Sequence, residues 1–343
     1  MAAARATERV TIVDVAKEAN VSFATVSRVV SGKGYVSPVT RERVMHAMNR
    51  SGYTVNRQAR ALAGGRHQVI GLLVPDLDTS YMGEILRGIE EELVTASYDL
   101  MLYTTHRRKT RESKFVASLS QGMTDGLLMV LPVDPGAHID SIRQRDLPYV
   151  LIDHAGQDET GPSVGATNLR GAIDATQYLI ELGHRRIGFV TGNQEMGCAQ
   201  DRLRGYREAH QAASLPVDES LVRDGNFHQP LAYERTRELL ALPEAPTAIF
   251  ASNDVSAFGV MDAVRDAGLR IPEHISVIGF DDIPGAQTTN PALTTVRQPL
   301  REMGKSATCM LFELIEDPTR ALERIELPTE LIVRSTCRSY TEL

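Results

Sequence analysis

Three kinds of feature are scarce or missing in this 343-residue chain, and each absence narrows what it can be. Cysteine is rare. Cys198, Cys309 and Cys337 are odd in number and far apart, which argues against a disulfide framework or a thiolate zinc site and fits free thiols in a reducing compartment. No apolar run approaches bilayer-spanning length, and Met1 to Arg9 hold no apolar stretch of the signal-peptide kind, so a cytoplasmic protein without a membrane partner is expected. The common catalytic motifs are missing too. The first long apolar run continues as GLLVPD (71–76) where a dinucleotide-binding fold would carry G-x-G-x-x-G, and no P-loop lysine motif, H-E-x-x-H or G-x-S-x-G occurs. The nine histidines are scattered. The expectation is a protein that is not an enzyme and uses neither metal nor cofactor.

What is present is asymmetric. The net charge of −7 splits sharply: residues 1–66 carry 11 Lys and Arg against 4 Asp and Glu, or +7, while the other 277 carry 26 against 40, or −14. A basic head on an acidic body is what arises when only the head meets phosphate. The length suggests two domains or one large bilobed one, and a 42% hydrophobic content is ample for buried cores.

The head reads as three short helices. Residues 11–30, TIVDVAKEANVSFATVSRVV, place Ile12, Val15, Ala16 and Ala19 on one stripe, with Thr11 as N-cap and Asp14 near the positive helix end. Asn20 and Val21 break the pattern, Ser22 caps a second start, and Val26, Val29 and Val30 make its inward stripe. The opposite face carries Phe23, Ala24, Ser27 and Arg28. Small residues permit close approach to a major groove, an arginine can bond a guanine edge, and an apolar group can touch a thymine methyl. The bland alternative is that Phe23 packs inward and Arg28 is merely solvated. A loop over 31–36 follows, then Ser37 and Pro38 open a third helix with Val44, Ala47 and Met48 inward, closed by Ser51 and Gly52. Residues 56–63 favour a helix with little to bury, marginal alone in water, and Gly64-Gly65 forms a joint. Leu62 there fits either interdomain packing or a wedge between base steps.

From Val69 the texture changes. Apolar runs at 69–75, 100–105, 126–131 and 149–153 alternate with stretches of helical period, and a second series repeats the arrangement at 186–192, 247–252 and 275–280. Such alternation means parallel sheets covered by helices on both faces, here in two lobes. Ligands of open α/β sheets sit beyond the carboxyl ends of the strands. The residues there, Asp76 to Tyr81, Asp153-His154, Ser252 to Asp254 and Asp281-Asp282, are polar and acidic and suit a hydroxyl-rich ligand, although Asn and Asp can also cap the next helix.

With residues 11–30 in hand, together with Gly52-Tyr53, Asn56, Ala59-Arg60, Leu62, LGHRRI (182–187), RLRGY (202–206), SND (252–254), GFDDI (279–283) and LTTVRQ (293–298), the chain resembles the LacI/GalR family of bacterial transcription regulators over nearly its whole length. The resemblance implies an α/β fold: a helix-turn-helix headpiece over 1–55, a hinge helix and linker over 56–66, and a two-lobed periplasmic-binding-protein-like core over 67–343 with two parallel α/β sheets. The lobes would comprise about 67–167 plus 298–322, and about 168–297 plus 323–343. Matched positions put Phe23, Ala24 and Arg28 in the major groove, Thr11, Ser22, Ser27, Tyr35, Ser37, Thr40 and Asn56 near the backbone, and Leu62 in the minor groove. The effector pocket falls on Asp76, Tyr81, Asp153, His154, Arg202, Phe227, Asn253, Asp281 and Gln298.

Departures from the family pattern are Val55, where proline usually precedes the hinge asparagine, and Ser31, where asparagine is common. The absence of leucine heptads before Leu343 favours a dimer. The resemblance thus implies a homodimeric regulator on a palindromic double-stranded operator, a repressor released by a sugar. The alternatives are a corepressor-type regulator that needs its ligand, such as a nucleobase, to bind DNA, and, remotely, an enzyme on a Rossmann-like fold.

Overall fold

The structure, a computed structural model, describes residues 10–31, 34–53, 66–77, 80–119, 122–132, 139, 142–154, 161–321 and 324–340. The chain divides into two compact units, Met1–His67 and Gln68–Leu343. The hinge expected at 56–66 lies outside the described residues apart from Arg66, and so do Val55, Asn56 and Leu62.

In the first unit the capping residues do what their chemistry dictates. Thr11 and Asp14 form a reciprocal capping box at the start of α1 (Ile12–Glu18), with the Thr11 N–H donating to Asp14 Oδ2 at 2.9 Å. Asn20, at φ 49°, takes the chain out of that helix in the left-handed region asparagine tolerates. Ser22 Oγ accepts from the Thr25 N–H at 3.2 Å and opens α2 (Phe23–Ser31), which runs one residue further than the breaker pattern suggests. Ser37 caps α3 (Pro38–Ser51), and Gly52 ends it at φ 65°. Val15, Ala16, Ala19, Val26, Val29, Val44 and Ala47 form the shared core.

The second unit holds two six-stranded sheets. The first comprises β1 (Val69–Val74), β2 (Asp99–Thr104), β3 (Gly126–Val130), β4 (Tyr149–Ile152), β5 (Ser163–Ala166) and β11 (Ile325–Leu327), ordered β11-β5-β4-β3-β1-β2 and parallel throughout. The second comprises β6 (Ile187–Thr191), β7 (Val222–Asp224), β8 (Ala248–Ala251), β9 (Ser276–Asp281), β10 (Thr294–Arg297) and β12 (Glu330–Ile332), ordered β12-β10-β9-β8-β6-β7, with only β12 antiparallel.

Helices cover both faces. The first sheet packs α4 (Ser80–Ala96) and α11 (Leu300–Glu316) on one side and α5 (Lys109–Leu119) on the other. The second packs α6 (Asn168–Glu181) and α7 (Gly197–Ala212) on one side, α8 (Gln229–Leu240) and α9 (Asp254–Asp266) on the other, and a short α10 (Pro284–Thr288) follows β9. Successive strand residues point to opposite faces, so Phe189, Phe250 and Ile278 enter one core while Val190, Ile249 and Val277 enter the other. Helices α4 and α11 meet backbone to backbone. A Cβ on Gly88 would stand 1.9 Å from the Arg301 carbonyl oxygen.

The chain passes between lobes between β5 and α6, between β10 and α11, and between β11 and β12. The last passage corrects the sequence-based division, which gave all of 323–343 to the second lobe. Ile325 pairs with Val164 and Leu327 with Ala166, so β11 extends the first sheet before the chain crosses. Among the described residues no helix is long and apolar enough to cross a membrane.

Candidate functional site

In the headpiece, Phe23 is 55% exposed, so it does not pack inward. Ala24 and Arg28 are exposed beside it and Ser27 is half-buried. The methylenes of Arg28 lie close to Gly34, whose φ of 84° makes room in the turn that follows the helix. Tyr35 is 87% exposed. Thr11, Ser22, Ser37 and Thr40 occupy helix starts: Thr11 caps α1, Ser22 caps α2, and the Ser37 hydroxyl donates to Thr40 Oγ1 at 2.9 Å. An apolar ring, a small residue and a guanidinium without a partner among the described residues stand exposed on a helix whose other face is the core, which is the arrangement a groove-reading helix needs.

In the core, a hydrogen-bonded chain joins the two lobes. Tyr81, on the first turn of α4, donates to Asp153 Oδ2 at 2.6 Å. Asn168, where the chain enters the second lobe, donates to Asp153 Oδ1 at 3.3 Å and accepts from Arg202 Nε at 2.9 Å. The Arg202 guanidinium donates to the Ser252 carbonyl at 2.6 Å, stands 3.6 Å from Asp281 Oδ1, and lies over the Phe280 ring at 3.9 Å. Gln298, where the chain returns to the first lobe, closes the path by donating to Asp281 Oδ1 at 2.7 Å. All of these side chains except Tyr81, at 9% exposed, are 3% exposed or less. An arginine holds this hub because its planar fork serves several acceptors and an aromatic face at once.

The other expected residues take varied places. Phe227 is half-buried with its ring flat against Gly192, 5.6 Å from the Arg202 guanidinium carbon. Asn253 caps α9, its Oδ1 accepting from the Ser256 N–H at 2.9 Å. His154 is half-buried beside Asp153, and Asp76 stands at the rim, 3.6 Å from Arg107 Nε. Asn168 and Phe280 were not anticipated as site residues, while Ser252, expected there as a strand-end residue, enters through its carbonyl. Asn168 lies just past the carboxyl end of β5, where the strand-end rule would have found it had SVGA (163–166) been read as a strand.

The electrostatics fit a dry, polar site. Burial pushes the Tyr81 phenol well above its ordinary range, and Asp153 adds to the rise. Burial also raises the Asp281 carboxyl, against the opposing pull of Arg202 and Gln298, and lifts the Cys198 thiol to about 12. Asp254, buried between α9 and the second sheet, is likewise raised by burial and by Asp281, and accepts from Thr295 Oγ1 at 2.5 Å and the Ile283 N–H at 2.9 Å. Left-handed backbone at non-glycine residues gathers at the same strand ends: Leu131 (φ 46°), Asp153 (53°), Phe227 (57°), Asp281 (114°) and Asp282 (56°). Such conformations cost on the order of 1 kcal/mol each and concentrate where side chains are aimed at a task. At this network the buried Gln298 Oε1 and Ser252 Oγ have no hydrogen-bond partner among the described residues. Unmet hydrogen-bonding capacity beside an arginine hub is what a polar guest would fill.

Comparison with known proteins decides the family. Residues 11–56 match the bacterial regulatory proteins of the lacI family, and residues 176–337 match a periplasmic-binding-protein-like domain. The HTH-type transcriptional regulator DegA of Bacillus subtilis (strain 168) is 34% identical over 329 residues, covering 95% of this chain and 97% of that protein. The chain belongs to the lacI family of bacterial regulatory proteins. It is a DNA-binding transcription regulator, and its relatives are regulators rather than enzymes. Among solved structures, the Lac repressor dimer bound to operator and the anti-inducer ONPF has a TM-score of 0.87 at 28% identity, covering 96% of this chain and all (100%) of that one. A complex of the regulator CelR with cellobiose has a TM-score of 0.74 at 32% identity, with the same 96% and 100% coverage.

Proposed function

We propose that this lacI-family chain is a cytoplasmic repressor that holds a palindromic operator as a homodimer and is released by a small carbohydrate bound between its lobes. The observation that carries the carbohydrate is the interlobe chain Tyr81–Asp153–Asn168–Arg202–Asp281–Gln298 with its unmet Gln298 and Ser252 oxygens. Carboxylates, amides and a guanidinium bond hydroxyls from both sides, and the half-buried Phe227 ring offers a flat apolar surface to a sugar face. The cellobiose-bound relative supports that class. Phe23, Ala24 and Arg28 read bases, and two-fold protein symmetry requires a two-fold DNA site.

The Tyr81 and Asp153 groups belong to the first lobe and Arg202 and Asp281 to the second, so a guest that bonds both sets favours one lobe spacing over another. A coupling of ~1–3 kcal/mol between this site and DNA suffices to cut occupancy several-fold or more. The test is selection of bound sequences from random DNA by ligand-free protein at near-physiological salt, followed by release with a panel of free mono- and disaccharides that includes cellobiose. A recovered palindrome and release by a sugar support the proposal. DNA binding that appears only after a small molecule is added overturns it in favour of corepression.

A further inference from the structure

One contact crosses the rim of the cleft without belonging to the network beneath it. Arg107, in the turn after β2, lies 3.6 Å from Asp76 through Nε and places Nη1 3.4 Å from the Met196 sulfur, in the second lobe. The turn is fixed to the end of β1, since the His106 N–H donates to the Pro75 carbonyl at 2.7 Å and the Thr105 N–H to that of Val74 at 2.9 Å. His106 and Arg107 both adopt left-handed backbone, φ 50° and 54°, conformations that ordered structure must hold in place. On the far side Met196 is the N-cap residue of α7, the helix that carries Cys198 and Arg202 into the site.

We propose that Arg107 is the latch of the cleft, bridging Asp76 of the first lobe and Met196 of the second so that the lobes separate only when this bridge breaks. A solvated ion pair contributes little alone. What makes this one matter is where it acts: it joins the end of β1, through Asp76, to the N-cap of the helix bearing Arg202, so its state is tied to lobe spacing. Arg107 is then a positioning residue that sets how readily the site opens. The inference builds on the interlobe site proposed above, but its test needs no effector.

Cys198 provides the readout. It is 2% exposed and lies between the lobes, within electrostatic reach of Asp153 in one and of Arg202 and Asp281 in the other. The full-length, ligand-free protein is treated with N-ethylmaleimide and each cysteine is followed by peptide mass spectrometry, Cys309 and Cys337 serving as internal controls. Arg107→Ala and Met196→Ala are each expected to speed Cys198 labelling about two- to fivefold, as an exposed-pair contribution to opening implies, with the other two cysteines unchanged. Arg107→Lys should recover part of the protection by keeping the charge opposite Asp76 while losing the fork that reaches Met196. Unchanged Cys198 labelling in both alanine variants overturns the latch, and so does a parallel rise at all three cysteines, which marks general loosening. If no sugar releases DNA, the effector class falls while the labelling result stands.

Discussion

The headpiece and the core use side chains in opposite ways. On the headpiece the groups assigned to DNA face water: Phe23 at 55% exposed, Tyr35 at 87%, and Arg28 without a partner among the described residues. In the core Arg202, at 2% exposed, meets an amide, a carbonyl, a carboxylate and an aromatic ring. One arginine waits for its partner and the other already has four. The headpiece folds on seven small aliphatic residues and its helix caps, leaving the exposed Phe23, Ala24 and Arg28 of α2 outside that core. The two-lobed core cannot make that separation, because the residues that would hold a ligand also hold the lobes. Substitution on the headpiece face should therefore cost binding alone, whereas substitution in the core site should cost folding as well.

The largest expected effect tests the core half of that contrast. Arg202→Ala leaves Asp281 and Asp153 in a buried site without their cation and strips Asn168 of a donor. Breaking a buried pair by removing one member costs roughly 3–5 kcal/mol. Urea denaturation followed by circular dichroism should show the core transition at markedly lower denaturant than in the parent. A midpoint within error of the parent would mean the network is a ligand site with no structural weight.

The headpiece half is tested by Arg28→Ala. Operator affinity should fall by about 1–3 kcal/mol, with preference relaxed at one position in each half-site, as loss of a base contact predicts. Stability should stay within about 0.5 kcal/mol of the parent, since an exposed side chain without partners is removed. Binding titrations on operator variants, paired with thermal melts, separate the two quantities. An equal loss of affinity on every DNA sequence would make Arg28 a phosphate contact.

The same contrast explains what could be read from the sequence. Headpiece caps and apolar stripes are local signals, and Thr11, Ser22, Ser37 and Gly52 stand in the structure where their chemistry puts them. In the core, the continuous apolar runs became β1 to β4, β6, β8 and β9. The strands that escaped notice lack such runs. Buried β5 is SVGA. In β10, TTVR, both threonines are wholly buried, yet Thr295 donates to Asp254 and the Thr294 N–H is held by the Thr336 hydroxyl, so their polar groups are met by residues distant in sequence. The site divides likewise. The residues at strand ends, Asp153 and Asp281, were legible from position alone. Asn168 acts through partners 15 and 34 positions away, which no local pattern announces. Asp76 was legible as a strand-end acid, but its partner Arg107 lies in a turn with no periodicity to mark it.

The smallest expected effect sharpens the comparison within the core, by asking whether a buried polar residue away from the cleft behaves as those in it do. His184 is 2% exposed and joins three segments: Nδ1 lies 2.9 Å from Thr247 Oγ1, and Nε2 lies 3.0 Å from Ser276 Oγ and 3.2 Å from the Arg338 carbonyl. The carbonyl can only accept, so Nε2 carries the proton and Nδ1 is the acceptor of a neutral ring, facing the Thr247 hydroxyl, which also reaches the Arg186 carbonyl at 3.4 Å. Burial lowers its pKa to about 4, outweighing the Arg338 hydrogen bond that acts in the other direction. The unfolded chain, with an ordinary imidazole near 6.5, takes up the proton first as pH falls. The stability this residue contributes is thus whole above pH ~6.5 and drains away towards pH ~4. Thermal midpoints of the parent should exceed those of His184→Gln at pH 7.5, and the gap should narrow steadily to pH 4.5. Subtracting the two profiles removes the carboxylates that titrate in the same window. A gap that stays constant across it would mean that folding leaves the ring's pKa at its unfolded value, the Arg338 carbonyl fully offsetting burial, and a gap that widens as pH falls would mean the folded ring is charged.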